Sequence, residues 1–279
     1  MAPGSVEIDS TIEKVTSASA DGYALRIGRL PDGMEPGNEW LAVDEVLASE
    51  GLKAAMLTSV AGVSERPADH IGTEWMIESW ARAFADLAGS FLISRRQLPD
   101  LSPANLLAAP WKGMVSATAV KSERMTVLDY RPANQPDSDL VAVSPSGLGG
   151  PEPELTEVAD WTDLADLMHE GLTNLFGPMI NWADGHGLRP AKTLWQSCGD
   201  RVAQSLLWSG KAFDQGEFAL ALTTYLMGLK GPMSVPVERD LDDFGQPFHL
   251  RTTCCLAYRT PEGGYCQACP LIREIRPPV

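Results

Sequence analysis

The sequence has few basic residues, and this excludes a nucleic-acid-binding function. The 279-residue chain contains 22 Lys and Arg against 37 Asp and Glu, which gives a formal net charge of -15 and a sequence pI near 4.6. Proteins that bind nucleic acids neutralise the phosphate backbone with clustered Lys and Arg. We therefore expect no nucleic-acid partner.

The sequence also lacks a long apolar run and a recognisable leader. A membrane-spanning helix needs about 20 consecutive apolar residues, and a secretory leader needs a basic region followed by an apolar one. Neither pattern occurs, and residues 1–10 contain neither region. We expect no membrane span and a cytoplasmic location, where thiols stay reduced.

Two common sources of redox and metal chemistry are missing as well. The glycine cluster Gly147–Gly150 is followed by Pro151 and lacks the G-x-G-x-x-G spacing that opens a dinucleotide-binding helix. The histidines are scattered along the chain, at His70, His169, His186 and His249. None forms an i, i+4 pair with another metal ligand, so we expect them to be surface or core residues.

Apolar periodicity predicts the secondary structure. Helical spacing covers residues 40–60, 68–97, 155–182, a segment that begins at Pro190, and 218–229, while alternating or β-rich runs cover 23–30, 114–120, 125–130 and 140–143. In the second helix, Glu78, Arg82 and Asp86 form a polar stripe at four-residue spacing, which predicts a solvent-facing side. The three tryptophans Trp182, Trp195 and Trp208 are expected in the core.

These patterns predict an α+β fold that is dominated by helices, with a small antiparallel sheet and a separate C-terminal segment. We expect residues 1–240 to form the main α+β domain and residues 241–279 to form a segment packed on it. Some 30 residues hardly bury a core of their own.

The five cysteines are too few for a disulfide scaffold and are odd in number, yet most of them lie close together in the sequence. Four of the five fall within sixteen residues, as Cys254, Cys255, Cys266 and Cys269, in the form C-C, ten residues, C-x-x-C. A C-x-x-C turn lets two thiolates converge on one side of the chain. Neighbouring side chains of a regular strand point to opposite faces, so the adjacent pair reaches one site only where the backbone departs from strand geometry.

Four converging thiolates can hold either one zinc ion or an iron–sulfur cluster. Zinc needs four ligands about one tetrahedral centre, which an adjacent pair and a distant pair supply with difficulty. A [2Fe-2S] cluster is wider, and each of its irons takes two thiolates. The spacing favours the cluster, with a structural zinc site of four cysteines as the alternative.

At this point the sequence resembles a known family. The C-C, ten residues, C-x-x-C arrangement, within Arg251-Thr-Thr-Cys-Cys and Tyr258-Arg-Thr-Pro, is similar to the C-terminal signature of the FhuF-type ferric siderophore reductases. Upstream, Thr193-Leu194-Trp195 at the start of a helix is similar to the central helical region of the family. The resemblance implies that Cys254, Cys255, Cys266 and Cys269 hold a [2Fe-2S] cluster. Residues 241–279 are then a C-terminal iron–sulfur segment, which the bound metal would have to hold together. Cys198 lies outside the motif and is expected to be a buried helical cysteine.

The resemblance implies an enzyme that reduces a ferric siderophore, of hydroxamate type, by one electron. Siderophores surround ferric iron with hard oxygen donors, which hold ferrous iron far more weakly, so reduction releases the metal. Because no hydride-transfer motif is present, we expect the electron to come from a separate ferredoxin or flavoprotein. The alternative is a siderophore-binding or interaction domain whose four cysteines hold a structural zinc.

Three further residues are candidates for substrate binding. Arg251 and Arg259 flank the cysteines, where a positive charge would stabilise the reduced cluster and contribute to the surface for the chelate or the donor. Simple charge balance is the alternative interpretation of both arginines. Trp195 is a candidate through the resemblance alone.

Overall fold

The computed structural model describes residues 24–25, 40–60, 69–121, 125–128, 155–241, 247–261 and 263–272. The helices are α1 (Val43–Ala48), α2 (Glu50–Val60), α3 (Asp69–Arg95), α4 (Trp161–Gly185), α5 (Ala191–Ala212) and α6 (Gly216–Gly228). The strands are β1 (Ala24–Leu25), β2 (Leu41–Ala42), β3 (Gln97–Pro99), β4 (Leu106–Trp111), β5 (Met114–Val120), β6 (Met125–Leu128), β7 (Leu155–Val158), β8 (Arg239–Leu241) and β9 (Pro247–His249). The expected helix-dominated α+β class is confirmed.

Helix α3 forms the centre of the core and packs against α4, α5 and β5. Its apolar residues repeat on nearly all sides, and Trp80 and Phe84 meet edge to face with ring centroids 5.2 Å apart. The expected solvent-facing stripe on this helix is wrong, because Glu78 and Asp86 are both buried against α5 partners. A helix that packs against other elements on nearly all its faces has no solvent-exposed face for a polar stripe.

Helix α4 begins later than its apolar pattern predicts. Residues 155–158 form β7, which pairs in parallel with β6, and the helix starts at Trp161. Asp160 and Asp163 form a capping box there. The Asp160 side chain accepts a hydrogen bond from the Asp163 backbone N–H, and the Asp163 side chain accepts one from the Asp160 backbone N–H. This cap fixes the helix start, since it satisfies backbone N–H groups that have no partner within the helix.

The strands form three small sheets. The first has the order β1-β5-β4-β2, in which β1 and β5 are parallel and the other pairs antiparallel. The second has the order β3-β6-β7, and the third is the antiparallel pair β8-β9. The predicted strands at 114–120 and 125–130 are found as β5 and β6, while β4 was not predicted, and the run at 140–143 lies outside the described residues.

The C-terminal segment continues from β9 and then lies across α3 and α5. The division expected at residue 240 falls within β8, whose hydrogen-bonding partner β9 lies on the other side of it. The two-part organisation stays a prediction. Among the described helices, none has the length and apolar character to cross a membrane.

Candidate metal centre

The backbone leaves strand geometry at the adjacent cysteines, as the sequence required. Leu256 adopts a left-handed conformation with φ 62° and ψ 9°, and a short 3-10 helix, Ala257–Arg259, follows it. This bend lets the Leu256 N–H donate to Cys254 Sγ at 3.4 Å and places the Ala257 N–H on Cys255 Sγ. A left-handed leucine costs about 1–2 kcal/mol, so the surrounding contacts hold the bend in place.

The chain then turns back and brings the second cysteine pair to the first. A Cβ atom on Gly263 would overlap the carbonyl oxygen of Ala257, so only glycine fits this close approach. The C-x-x-C turn is closed by a backbone hydrogen bond of 3.0 Å between its two cysteine residues. The Arg251 N–H donates to the Ala268 carbonyl at 3.2 Å, which fastens this turn to the first half of the motif.

Two of the four thiols lie in close contact. Cys255 Sγ and Cys266 Sγ lie 4.0 Å apart, and Cys254 and Cys269 are the remaining two cysteines of the motif. Two thiolates on one tetrahedral metal stand about 3.8 Å apart when the metal–sulfur distance is about 2.3 Å. Cys255 and Cys269 are buried, whereas Cys254 and Cys266 are half-buried. The described residues contain no group of three or more His, Cys, Asp or Glu about a single metal position. A thiol pair at this spacing fits one iron of a [2Fe-2S] cluster.

The thiols have unequal acidities. The hydrogen bond with Cys266 lowers the pKa of Cys255 to about 5, and the Ala257 N–H and the positive charge of Arg251 act in the same direction against burial. The same bond raises the pKa of Cys266, and burial raises the pKa of Cys254. Since the thiolate is the form that binds metal, Cys255 is prepared as a ligand at neutral pH.

Asp200 of α5 anchors the residues that precede the cysteines. Its carboxylate, 1% exposed, accepts the backbone N–H of Thr252 at 2.9 Å and of Thr253 at 2.9 Å, and it accepts both threonine hydroxyls at 2.9 Å. His249 Nε2 lies 3.0 Å from the same carboxylate. The two threonines of the motif are therefore the points at which the segment is tied to the helical core.

Two glutamates of α3 form a buried ion-pair network beneath the cysteines. Glu78 pairs with Arg201 and Arg251, and Glu74 pairs with Arg189 and lies 3.7 Å from Arg251. Burial raises the pKa of Glu74 in spite of Arg189. With all three carboxylates ionised, the three arginines are balanced by Glu74, Glu78 and the neighbouring Asp200.

The carbonyl groups of residues 253–255 are each held by a side chain. Trp75 Nε1 donates to the Cys255 carbonyl at 2.9 Å, Arg189 Nη2 donates to the Cys254 carbonyl at 3.2 Å, and Arg251 Nε donates to the Thr253 carbonyl at 3.1 Å. Three consecutive fixed carbonyls leave this stretch of backbone little freedom. Trp75 belongs to α3, Arg189 to the connection between α4 and α5, and Arg251 to the segment itself, so the core and the segment together fix this backbone.

The other side of the site is exposed and aromatic. Tyr258 and Tyr265 stack with ring centroids 5.3 Å apart and an interplanar angle of 16°, and Tyr265 is 58% exposed. The exposed Arg259 lies over the Tyr258 ring, and its Nε donates to the Tyr258 hydroxyl at 3.1 Å. We call Tyr258, Arg259 and Tyr265 the aromatic rim.

The structure separates the residues that the sequence proposed for substrate binding. Arg259 is exposed on the aromatic rim, whereas Arg251 is only 5% exposed and is engaged by Glu78. Trp195 is half-buried against the core. Cys198 is fully buried in α5, as expected, but Trp208 is 44% exposed, so its expected core position is wrong.

Sequence reasoning missed most of the residues that support the thiols. Glu74, Trp75, Glu78, Arg189 and Asp200 lie 54 or more positions before Cys254, and no short motif links them to it. The one signal was the pair Glu74 and Glu78, two carboxylates at four-residue spacing in an apolar helix. Buried carboxylates need cationic partners, and here the arginines around the cysteines supply them.

Comparison with known proteins supports the resemblance at the cysteine motif. Residues 251–271 match the model of the FhuF 2Fe-2S C-terminal domain. No curated protein matches the chain. Among solved structures, the aerobactin synthetase IucC from a hypervirulent pathotype of Klebsiella pneumoniae is similar with a TM-score of 0.43 and 13% identity. That likeness covers 68% of this chain and 32% of the synthetase, so the chain spans about a third of its length.

Proposed function

We propose that the protein is a ferric siderophore reductase whose [2Fe-2S] cluster is held by Cys254, Cys255, Cys266 and Cys269. The observation that carries the proposal is the approach of Cys255 Sγ and Cys266 Sγ to 4.0 Å inside the segment that matches a 2Fe-2S domain. A [2Fe-2S] cluster carries one electron, which is the difference between ferric and ferrous iron. The ferrous product leaves its oxygen ligands because they hold it weakly.

The residues beneath the cysteines support one-electron reduction. A cluster gains one negative charge when it accepts an electron, and the positive charges of Arg251 and Arg201 act on the neighbouring Cys255. Arg251 acts here through charge and through its hold on the Thr253 carbonyl, not as a contact for the chelate. Trp195 stays a prediction as a substrate residue.

The aromatic rim is the proposed contact for the ferric chelate. The cysteine segment is covered on its carbonyl side by Trp75 and Arg189, so the chelate approaches the half-buried Cys254 and Cys266 from the rim. Arg259 offers hydrogen-bond donors to the oxygen atoms of a chelate, and Tyr265 offers an apolar face to its linker chains. The hydroxamate class rests on the family resemblance. The external donor, a ferredoxin or a flavoprotein, rests on the missing dinucleotide-binding motif, and the cytoplasmic location stays a prediction from the sequence.

The test is anaerobic purification followed by single-turnover reduction. We expect a coloured protein with about two irons and two acid-labile sulfides per chain. The chemically reduced protein should lose one electron to ferric desferrioxamine, and a ferrous chelator should then trap the released iron. Cys266→Ser should impair both the colour and the reduction, whereas Cys198→Ser should leave both unchanged. A colourless protein with one tightly bound zinc would overturn the proposal in favour of a structural zinc site of four cysteines.

A further inference from the structure

We infer that each iron takes one cysteine from each half of the motif. Cys255 and Cys266 bind one iron, and Cys254 and Cys269 bind the other. The inference rests on the proposed cluster. Four ligands divide into two pairs in three ways, and the sequence alone suggests the local division, in which the adjacent cysteines take one iron and the C-x-x-C cysteines take the other. The structure assigns neither local pair to one iron.

One distance carries this assignment. The Sγ atoms of Cys255 and Cys266 are 4.0 Å apart, close to the separation of about 3.8 Å expected for two thiolates on one tetrahedral metal. This contact joins the first half of the motif to the second half. Because each iron of a [2Fe-2S] cluster takes two thiolates, Cys254 and Cys269 are left for the other iron.

The backbone explains why the adjacent cysteines diverge. The left-handed Leu256 directs its own N–H to Cys254 Sγ and that of Ala257 to Cys255 Sγ, so each sulfur accepts a different backbone donor. Each of the two assigned pairs then contains one buried and one half-buried cysteine. The irons would therefore have similar solvent exposure.

Single serine substitutions in the holoprotein test the pairing. Oxygen is a harder ligand than sulfur and favours ferric iron, so the electron added on reduction should reside on the iron that keeps two thiolates. We expect the reduced Cys255→Ser and Cys266→Ser proteins to share one set of EPR g-values and the Cys254→Ser and Cys269→Ser proteins to share another. Any other grouping, including four identical spectra, overturns the inference.

Disulfide mapping provides a second measurement that does not depend on variant stability. In a Cys198→Ser background, oxidative disassembly of the cluster leaves four thiols, and closing a disulfide of about 2.05 Å from 4.0 Å needs only a small movement. We expect Cys255–Cys266 and Cys254–Cys269 bridges by peptide mass spectrometry. Predominance of Cys254–Cys255 with Cys266–Cys269, or of Cys254–Cys266 with Cys255–Cys269, overturns the pairing. Those results would leave the proposed reductase intact, whereas an absent cluster would overturn the reductase itself.

Discussion

Replacing Asp200 should release the metal-binding segment from a helical core that stays folded. Asp200→Ala removes the acceptor for the backbone N–H groups of Thr252 and Thr253 and for both hydroxyls. A hydrogen bond to a charged group contributes about 1.5–3 kcal/mol, so the two backbone bonds alone account for about 3–6 kcal/mol. The hydroxyls can recover water once the segment moves, and they are left out of this sum.

This free energy should appear as a loss of cluster retention. Because cluster binding requires the docked segment, a penalty of about 3 kcal/mol corresponds to roughly 100-fold weaker retention. The assay follows the visible absorbance of anaerobic holoprotein after addition of a ferrous chelator, with iron and sulfide content as a second readout. Far-UV circular dichroism should show that the helices remain.

A matched control separates this anchor from general charge effects. Glu170 is an exposed carboxylate of α4, and Glu170→Ala should retain the cluster as the parent protein does. Asp200→Asn, which keeps one acceptor oxygen, should fall between the parent and the alanine variant. An Asp200→Ala protein that keeps its cluster as long as the parent would refute the anchoring role.

Three other predictions concern the loop, the rim and the core. Gly263→Ala should abolish cluster incorporation, measured as iron content, because its Cβ overlaps the Ala257 carbonyl oxygen; normal iron content would contradict the close approach. Tyr265→Ala should raise KM for the ferric chelate several-fold with the cluster potential unchanged, whereas Trp111→Ala, which removes a 50% exposed tryptophan from the β4–β5 hairpin, should leave KM unchanged; equal effects would remove the rim from substrate binding. Burial raises the pKa of Asp86 to about 6 from 3.8, so its protonated form stabilises the fold below pH 4 and this stability is lost as the pH rises to 6. Asp86→Asn should therefore gain up to about 3 kcal/mol relative to the parent protein between pH 4 and pH 7 in urea unfolding, and a constant difference would contradict the raised pKa.

The sequence predicted the elements with strong local signals. The helices near 69–95 and 191–212 and the strand at 114–120 have clear periodicity, and the cysteine spacing identified the candidate ligands. The start of α4 was misplaced because the short strand β7 directly precedes the capping residue Asp160. Local pattern alone does not show which of two adjoining periodicities ends first.

The support of the site was less predictable because it depends on tertiary contacts. Asp200 lies in the middle of α5, where a single acidic residue gives no sign of its four donors. Arg251 and Arg259 look alike in the sequence, yet one is buried in an ion-pair network and the other is exposed on the aromatic rim. Only the packing of α3 against the C-terminal segment separates them.

The anchoring of Thr252 and Thr253 to α5 has a consequence for how the cofactor is inserted. Because these residues are fixed directly to a helix, the first two thiols are positioned before any iron arrives. The other two are joined to them by ten residues and by the backbone hydrogen bond from Arg251 to Ala268, so they are held less firmly than the anchored pair. We expect assembly to proceed in order, with an incoming cluster bound first by the helix-anchored half and then enclosed by the other half.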